Sequence, residues 1–301
     1  MSDLLVVGSV ALDSVKTPFG EAEEVLGGSA TYFSYAASFF SPVQLVAVVG
    51  EDFPQAHLDL LKRRQVDLTG LQVAKGRTFR WAGEYGYDLN EAKTLDTQLN
   101  VFADFRPDLP DSYRQPSFLF LANIDPDLQW EILHQVERPR LVAMDTMNFW
   151  INGKRQAVER ILSEADALII NDGEARQLTQ EPNLVKAAEA VLAFGLQLVV
   201  IKRGEYGAVL FAHGNFFFAP AFPLAAVLDP TGAGDSFAGG FMGALARDGG
   251  MDEAGLRRAV VYGSVMASFA VEDFSLRRLT RLRPEEIEER FRAFQEMVTF
   301  R

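Results

Sequence analysis

The sequence has no cysteine, which excludes disulfides and thiolate metal sites. Histidine is almost as scarce. His57, His134 and His213 each stand alone in their segments and read as surface or packing residues. There is no H-E-x-x-H and no G-x-S-x-G, so zincin and serine-hydrolase chemistries have no anchor. A basic excess is missing too. The net charge is -12, which argues against a general nucleic-acid or anionic-membrane surface. No uninterrupted apolar run reaches the roughly 18 residues needed to cross a bilayer. Met1-Ser-Asp supplies no basic segment ahead of the short apolar run at Leu4, so no signal peptide is expected and a cytoplasmic location is the default. A phosphate loop of the G-x-x-x-x-G-K-[ST] type is absent, and Phe237 stands where a dinucleotide fingerprint needs its third glycine.

What is present is ordinary globular composition: 301 residues, 48% hydrophobic and 23% charged, enough for one large core with a small appendage. Continuous apolar runs recur at Leu4 to Val10, Gln44 to Gly50, Phe118 to Ala122, Leu141 to Met144, Ala167 to Asn171 and Leu198 to Lys202. Such runs suit strands buried on both faces. Between them lie helical patterns, including Ser29 onward, a segment ending near Arg64, and later ones at about 252–271 and 284–299. Asp52-Phe-Pro-Gln55 carries a capping-box pattern. The alternation predicts an α/β fold, a mostly parallel sheet covered by helices on both faces, in a single domain over 1–301. Residues 78–89 change period. Phe79, Trp81, Gly83, Tyr85, Tyr87 and Leu89 share one face of a strand, and a second alternating run follows from Leu95 to Val101 after a turn at Asn90 to Lys93. This antiparallel pair interrupts the β–α series and, with strands near 14–26, looks like a small β-sheet lid of about 13–26 and 76–103.

The chemistry concentrates at Asp229-Pro-Thr-Gly-Ala-Gly-Asp-Ser-Phe237. Phe237, Phe241, Ala244 and Leu245 follow at helical spacing, so the glycine-rich turn opens onto a helix N-terminus. Free N–H groups and the positive end of the helix dipole attract anions there. Glycine lets those groups approach a phosphate closely. Asp235 is the one carboxylate in this anion-seeking place. It can serve as a base towards an attacking hydroxyl, or merely cap the helix. Asp13 follows the first strand, where ligands bind in open α/β sheets, and its carboxylate can accept two hydroxyl hydrogen bonds. Gly27 and Gly28 let a sugar lie against backbone. Asn123, at the end of a strand, faces either the substrate or only its own turn. Arg80 on the lid could neutralise an anionic substrate.

The stretch Asp229 to Phe237 resembles the C-terminal signature of the ribokinase-like (PfkB) carbohydrate kinases, and the likeness extends over nearly the whole chain. It implies a ribokinase-like fold, ATP and Mg2+ as cofactors, and Asp235 as the base. Gly232, Ala233 and Gly234 would supply the backbone anion hole, with Thr231 beside them. Asp13 matches the family's substrate-binding Asp. Gly27-Gly-Ser-Ala-Thr-Tyr32 is similar to the N-terminal Gly-Gly signature, but Tyr32 stands where the family usually has Asn. The amide that would bind a sugar hydroxyl is missing, which argues against ribose or fructose phosphate as the acceptor. Asn171-Asp-Gly-Glu174 is similar to the Asn-x-x-Glu motif and implies Asn171 near the nucleotide phosphates and Glu174 near magnesium, through water. Lys202 and Gly204 fall where the family binds ATP phosphates. Asp145-Thr-Met-Asn148 is loosely similar to an Asp-x-Asn motif, with Asn148 as the transferred residue. The family also offers a potassium ion near Asp229 and Thr231, and pairing of two copies through the lid.

The resulting expectation is an ATP-dependent phosphotransferase acting on a hydroxyl of a sugar or sugar-like molecule. A nucleoside kinase is the alternative, since the aromatic lid face and Tyr32 suit a stacked base. From another class, a non-catalytic sugar or nucleotide sensor would have no need of Asp235.

Overall fold

Leu4, Leu5, Val6 and Val7 are each fully buried, two side chains to either face of a sheet. In the computed structural model, which describes residues 4–299, this strand lies inside a nine-stranded sheet. The strands are β1 (Leu4–Val7), β2 (Ala11–Thr17), β3 (Gly20–Gly27), β4 (Val43–Gly50), β5 (Val66–Ala74), β6 (Arg80–Tyr85) and β7 (Ala92–Gln98). The second half adds β8 (Phe118–Leu121), β9 (Leu141–Met144), β10 (Ala167–Asn171), β11 (Leu198–Lys202), β12 (Ala208–Ala212) and β13 (Asn215–Ala219). The large sheet has the order β13-β12-β11-β10-β9-β8-β1-β4-β5. All its pairs are parallel except the β11–β12 and β12–β13 hairpins. Met1 to Asp3, whose lack of basic residues bore on a leader, lie outside the described residues. Among the described residues no helix is long and apolar enough to cross a membrane.

Alternate strand residues feed two cores, because successive side chains point to opposite faces. Leu4, Val6, Leu45 and Phe120 pack with the helices Ser29–Ala37, Ala233–Asp248 and Glu253–Ala270. Leu5, Val7, Leu121 and Ile170 pack on the other side with the helices Arg155–Leu162 and Leu184–Leu192. The helix Ala233–Asp248 is buried from Ser236 to Ala246, so the turn at its start is held by the main core.

A second sheet, β3-β2-β6-β7, stands apart from the first. β2 pairs antiparallel with β3, and β6 antiparallel with β7, but β2 and β6 run parallel. Val15 and Ala22 of this sheet pack with Trp81, Tyr85, Leu228 and Phe274, which seats one face on the body. Thr17 Oγ1 donates to the Leu228 carbonyl at 2.9 Å, and Ser275 Oγ donates to the Leu26 carbonyl, stitching the sheet down.

Three local expectations are corrected. The first apolar run ends as a strand at Val7, and the chain passes through Gly8 to Val10 before the small sheet begins at Ala11. Residues Val66–Ala74, not foreseen as a strand, form the edge strand β5. Their burial is patchy, so they lack both the continuous and the cleanly alternating apolar pattern that marks a strand. The Asp52 capping box does not form. The helix starts at Gln55 with Pro54 at its cap, and Asp52 instead accepts from Thr78 N (2.7 Å), Thr78 Oγ1 (2.8 Å) and Arg80 Nη2 (2.8 Å).

Candidate active site

Three neighbouring parallel strands deliver polar groups at their carboxyl ends. Asp145 follows β9, Asn171 ends β10, and Lys202 ends β11 in register with Asn171. This is where open α/β sheets place ligands. The turn Asp229 to Asp235 approaches from the helix side. Gly232 has φ 73° and caps the helix. A Cβ at Gly232 would lie 2.3 Å from the Tyr32 ring, so only glycine fits both the left-handed backbone and that contact. A Cβ at Gly234 would lie 2.6 Å from Lys202 Nζ, which places the ammonium directly against the glycine turn.

The electrostatics record the same convergence. Asp235 has its carboxyl pushed up by enclosure, with Lys202 the main charge opposing the shift. Glu174 is raised by enclosure and by Asp235, and Lys202 again opposes. Asp145, 5% exposed, is raised most strongly: burial first, then Asp235, with Lys202 opposing and Glu174 adding. Its Oδ1 is buried with no hydrogen-bond partner. Three carboxylates thus share one ammonium.

On the acceptor side, the Asp13 carboxyl is pushed up to about 7 by burial, against the Gly28 N–H and with Asp229 and Asp235 adding to the shift. Gly28 N donates to Asp13 Oδ2 at 3.3 Å, and a Cβ on Gly27 would fall 1.9 Å from that oxygen. The paired glycines therefore make room for the Asp13 carboxylate itself. Asp229, 1% exposed, accepts from Thr231 N (2.9 Å) and Ser275 N (3.2 Å). Thr231 Oγ1 donates to the Tyr85 hydroxyl of the small sheet at 3.3 Å.

Other sequence candidates take different positions. Arg80 donates to Glu24 Oε1 and Asp52 Oδ2, each at 2.8 Å, and to the Thr78 carbonyl at 3.0 Å, so its charge is already matched by two carboxylates. Asn123 accepts from Trp150 Nε1 at 3.0 Å and donates to Met147 Sδ at 3.1 Å, so its amide braces a loop. Asn171 forms a reciprocal capping box with Glu174: Glu174 N donates to Asn171 Oδ1 at 2.7 Å, and Asn171 N to Glu174 Oε2 at 3.0 Å. One oxygen of Glu174 is spent on the helix start. Asn148 is exposed, and its Oδ1 accepts from Phe149 N at 3.0 Å. Asp145, the first residue of the same loose motif, is the one that lies near Asp235, Lys202 and Glu174. The signal was available, since Asp145 directly follows the buried strand β9. Gly204 has φ 52° and lies under Asn90 of the loop between β6 and β7.

Residues 1–280 match the model of the pfkB family carbohydrate kinases. The chain belongs to this family. It is 30% identical over 271 residues to the cytidine kinase of Thermococcus kodakarensis, a match spanning 86% of this chain and 95% of that one. The nucleoside kinase structure of Methanocaldococcus jannaschii, an archaeal member of the ribokinase family, superposes with a TM-score of 0.77 at 20% identity, covering 97% of this chain and 99% of that one. An E. coli protein solved in complex with ATP and magnesium superposes with a TM-score of 0.79 at 18% identity, covering 97% of this chain and all of that one (100%). The protein is therefore a PfkB-family kinase with a ribokinase-like α/β fold.

Proposed function

We propose that this PfkB kinase transfers the terminal phosphoryl group of ATP to a hydroxyl of a nucleoside or free sugar. One observation carries the reading: the Asp235 carboxyl stands at the glycine-lined helix start, within the influence of Lys202. Asp235 takes the proton of the acceptor hydroxyl, and its raised proton affinity makes it the stronger base. The backbone N–H groups of Gly232 and Gly234 face the charge on the transferring group, whereas that of Ala233, also expected there, donates to the Pro230 carbonyl at 3.1 Å. Lys202 sits against the same turn and adds its ammonium. Losing one such donor typically costs about 3–4 kcal/mol of barrier lowering. Transfer is thus positioning plus charge stabilisation.

The residues present fit magnesium. Among the described residues no cluster of three acidic, histidine or cysteine side chains forms a metal cage. Magnesium does not need one, since it keeps waters and uses one or two carboxylates with the nucleotide phosphates. The unpartnered Oδ1 of Asp145 and the second oxygen of Glu174 are the groups that would hold it through its waters. When bound it neutralises phosphate charge. We assign no step to potassium; Asp229, its expected ligand, accepts one backbone N–H at each oxygen.

Asp13 binds acceptor hydroxyls in this scheme. Similarity to the Thermococcus cytidine kinase favours a nucleoside over a free sugar. The test is ADP formation from ATP with a panel of nucleosides and sugars, for the wild type and Asp235→Asn. We expect one acceptor to drive ADP formation, and the variant to lose about 1,000-fold or more in kcat while binding ATP normally. Near-normal turnover by Asp235→Asn would sink the base assignment. Acceptor binding with no turnover at all would make the protein a sensor.

A further inference from the structure

Two phenols from different elements lie within the influence of Asp13, Asp229 and Asp235. Tyr32 comes from the body, on the helix Ser29–Ala37. Tyr85 comes from the small sheet, at the end of β6. Tyr32 is 1% exposed, and its hydroxyl is buried without a hydrogen-bond partner. Its ring lies against Gly232, so the catalytic turn itself fixes where the phenol sits. Burial, then Asp13, Asp229, Asp235 and Tyr85, hold its ionisation well above the ordinary range, which keeps the hydroxyl a proton donor. The Tyr85 hydroxyl accepts from Thr231, which leaves its own proton free to donate. A buried donor is rarely left unsatisfied, and such a group points to a missing ligand atom.

Charge narrows the ligand. Asp13, Asp229 and Asp235 gather in front of Tyr32, and Asp145 and Glu174 lie further along the nucleotide side. Lys202 is the cation that acts most strongly on Asp145, Glu174 and Asp235, and no cation is among the main influences on Asp13. Arg80, the small sheet's candidate for an anionic group, is consumed by Glu24 and Asp52. A phosphate or carboxylate on the acceptor would meet three carboxylates and no free cation.

We propose that the acceptor pocket takes an uncharged polyhydroxy compound and rejects phosphorylated or carboxylated ones, with the buried Tyr32 hydroxyl donating a hydrogen bond to an acceptor oxygen. The neighbouring acceptor hydroxyl donates to Asp13. Tyr32 is thereby a specificity-determining residue that replaces an amide with a longer donor fixed by packing. This rests on the kinase reading above but is separable from it.

The experiment measures ADP formation and calorimetric binding with the full chain. Cytidine, uridine, adenosine, ribose and fructose form the neutral arm. Ribose 5-phosphate, fructose 6-phosphate and gluconate form the anionic arm. At least one neutral compound is expected to bind and to drive ADP formation, with every anionic one at least roughly 100-fold below it in kcat/KM. Tyr32→Phe is expected to raise the acceptor KM about tenfold, with kcat and the KM for ATP within about threefold of wild type. A purely structural role would move all three or none. An anionic acceptor used within about tenfold of the best neutral one overturns the proposal, as does an unchanged acceptor KM in Tyr32→Phe. If Tyr32→Phe misfolds, the wild-type panel still decides the charge claim. Neutral acceptors that bind without ADP formation support the pocket and overturn the kinase reading. No binding and no ADP formation with any compound overturns both.

Discussion

Two clusters of charge in this protein use the same residue types to opposite ends. Near the C-terminus, Glu272 accepts from Arg278 Nε and Arg290 Nη2, each at 2.7 Å, and Glu286 accepts from Arg278 Nη2 at 2.8 Å. Arg290 also stacks on the Phe269 ring, 3.5 Å from its centroid. Each of these charges has a partner, and Glu286 is pulled down to about 2 by Arg278 and the Arg283 N–H. In the cleft, Asp145, Glu174 and Asp235 share Lys202, while Asp13 and Asp229 have no such counter-charge. Asp13 is pushed up to about 7, and Asp145 and Tyr32 keep unpartnered oxygens. Matched charges hold helices together. Unmatched ones are kept at a cost in stability and are useful only when a ligand supplies the missing partner.

The largest way to break the contrast is to remove Lys202, the cation that Asp145, Glu174 and Asp235 share. Lys202→Met should lower kcat about 100-fold and raise the KM for ATP, measured in steady-state assays, because the turn loses its ammonium and the three carboxylates lose their common counter-charge. A kcat within about threefold of wild type would detach Lys202 from the chemistry.

Next in size is the matched cluster. Glu272→Gln should cost about 2 kcal/mol in denaturant unfolding, since two guanidinium groups each lose a charged acceptor, while kcat stays at the wild-type value. Loss of activity without loss of stability would contradict the division of labour.

The smallest effects come from pH and sharpen the comparison by sign. The Asp13 carboxyl titrates at about 7 folded against 3.8 in the unfolded chain. The native state holds the extra proton in between. Its stabilising share is full below about pH 4 and is lost as pH rises through about 7. Glu286 runs the other way, from 4.5 down to about 2. Its share is full above about pH 4.5 and is lost as pH falls through about 2. Thermal melts of Asp13→Asn should therefore lose slope on the neutral limb, and those of Glu286→Gln on the acid limb. Acceptor affinity should show the converse of the Asp13 effect, tightening about fivefold between pH 6 and 8 as that carboxyl ionises to receive hydroxyls. Calorimetry across that range measures it.

Much of the architecture was legible in the chain. β9 and β10 fall on their expected residues because buried strands of a parallel sheet carry strong local patterns. The strand at Val66–Ala74 was not, because an edge strand with patchy burial has no such pattern. At the cleft, the glycine turn and Asp235 declared themselves by adjacency. Arg80 and Asn123 did not, because their partners lie 56 and 27 residues away, at Glu24 and Trp150. Asp145 lay in view, yet its importance comes from neighbours on three other elements.

Periodicity determined the α/β alternation and the carboxylate at a glycine-lined helix start, since those properties are written in short-range order, and the kinase reading came from the resemblance of one nine-residue stretch to a family signature. Which charges are matched and which are left waiting was decided only by the folded chain. Pairing depends on what the strands and the small sheet bring within about 4 Å of each other, and sequence distance carries no record of that.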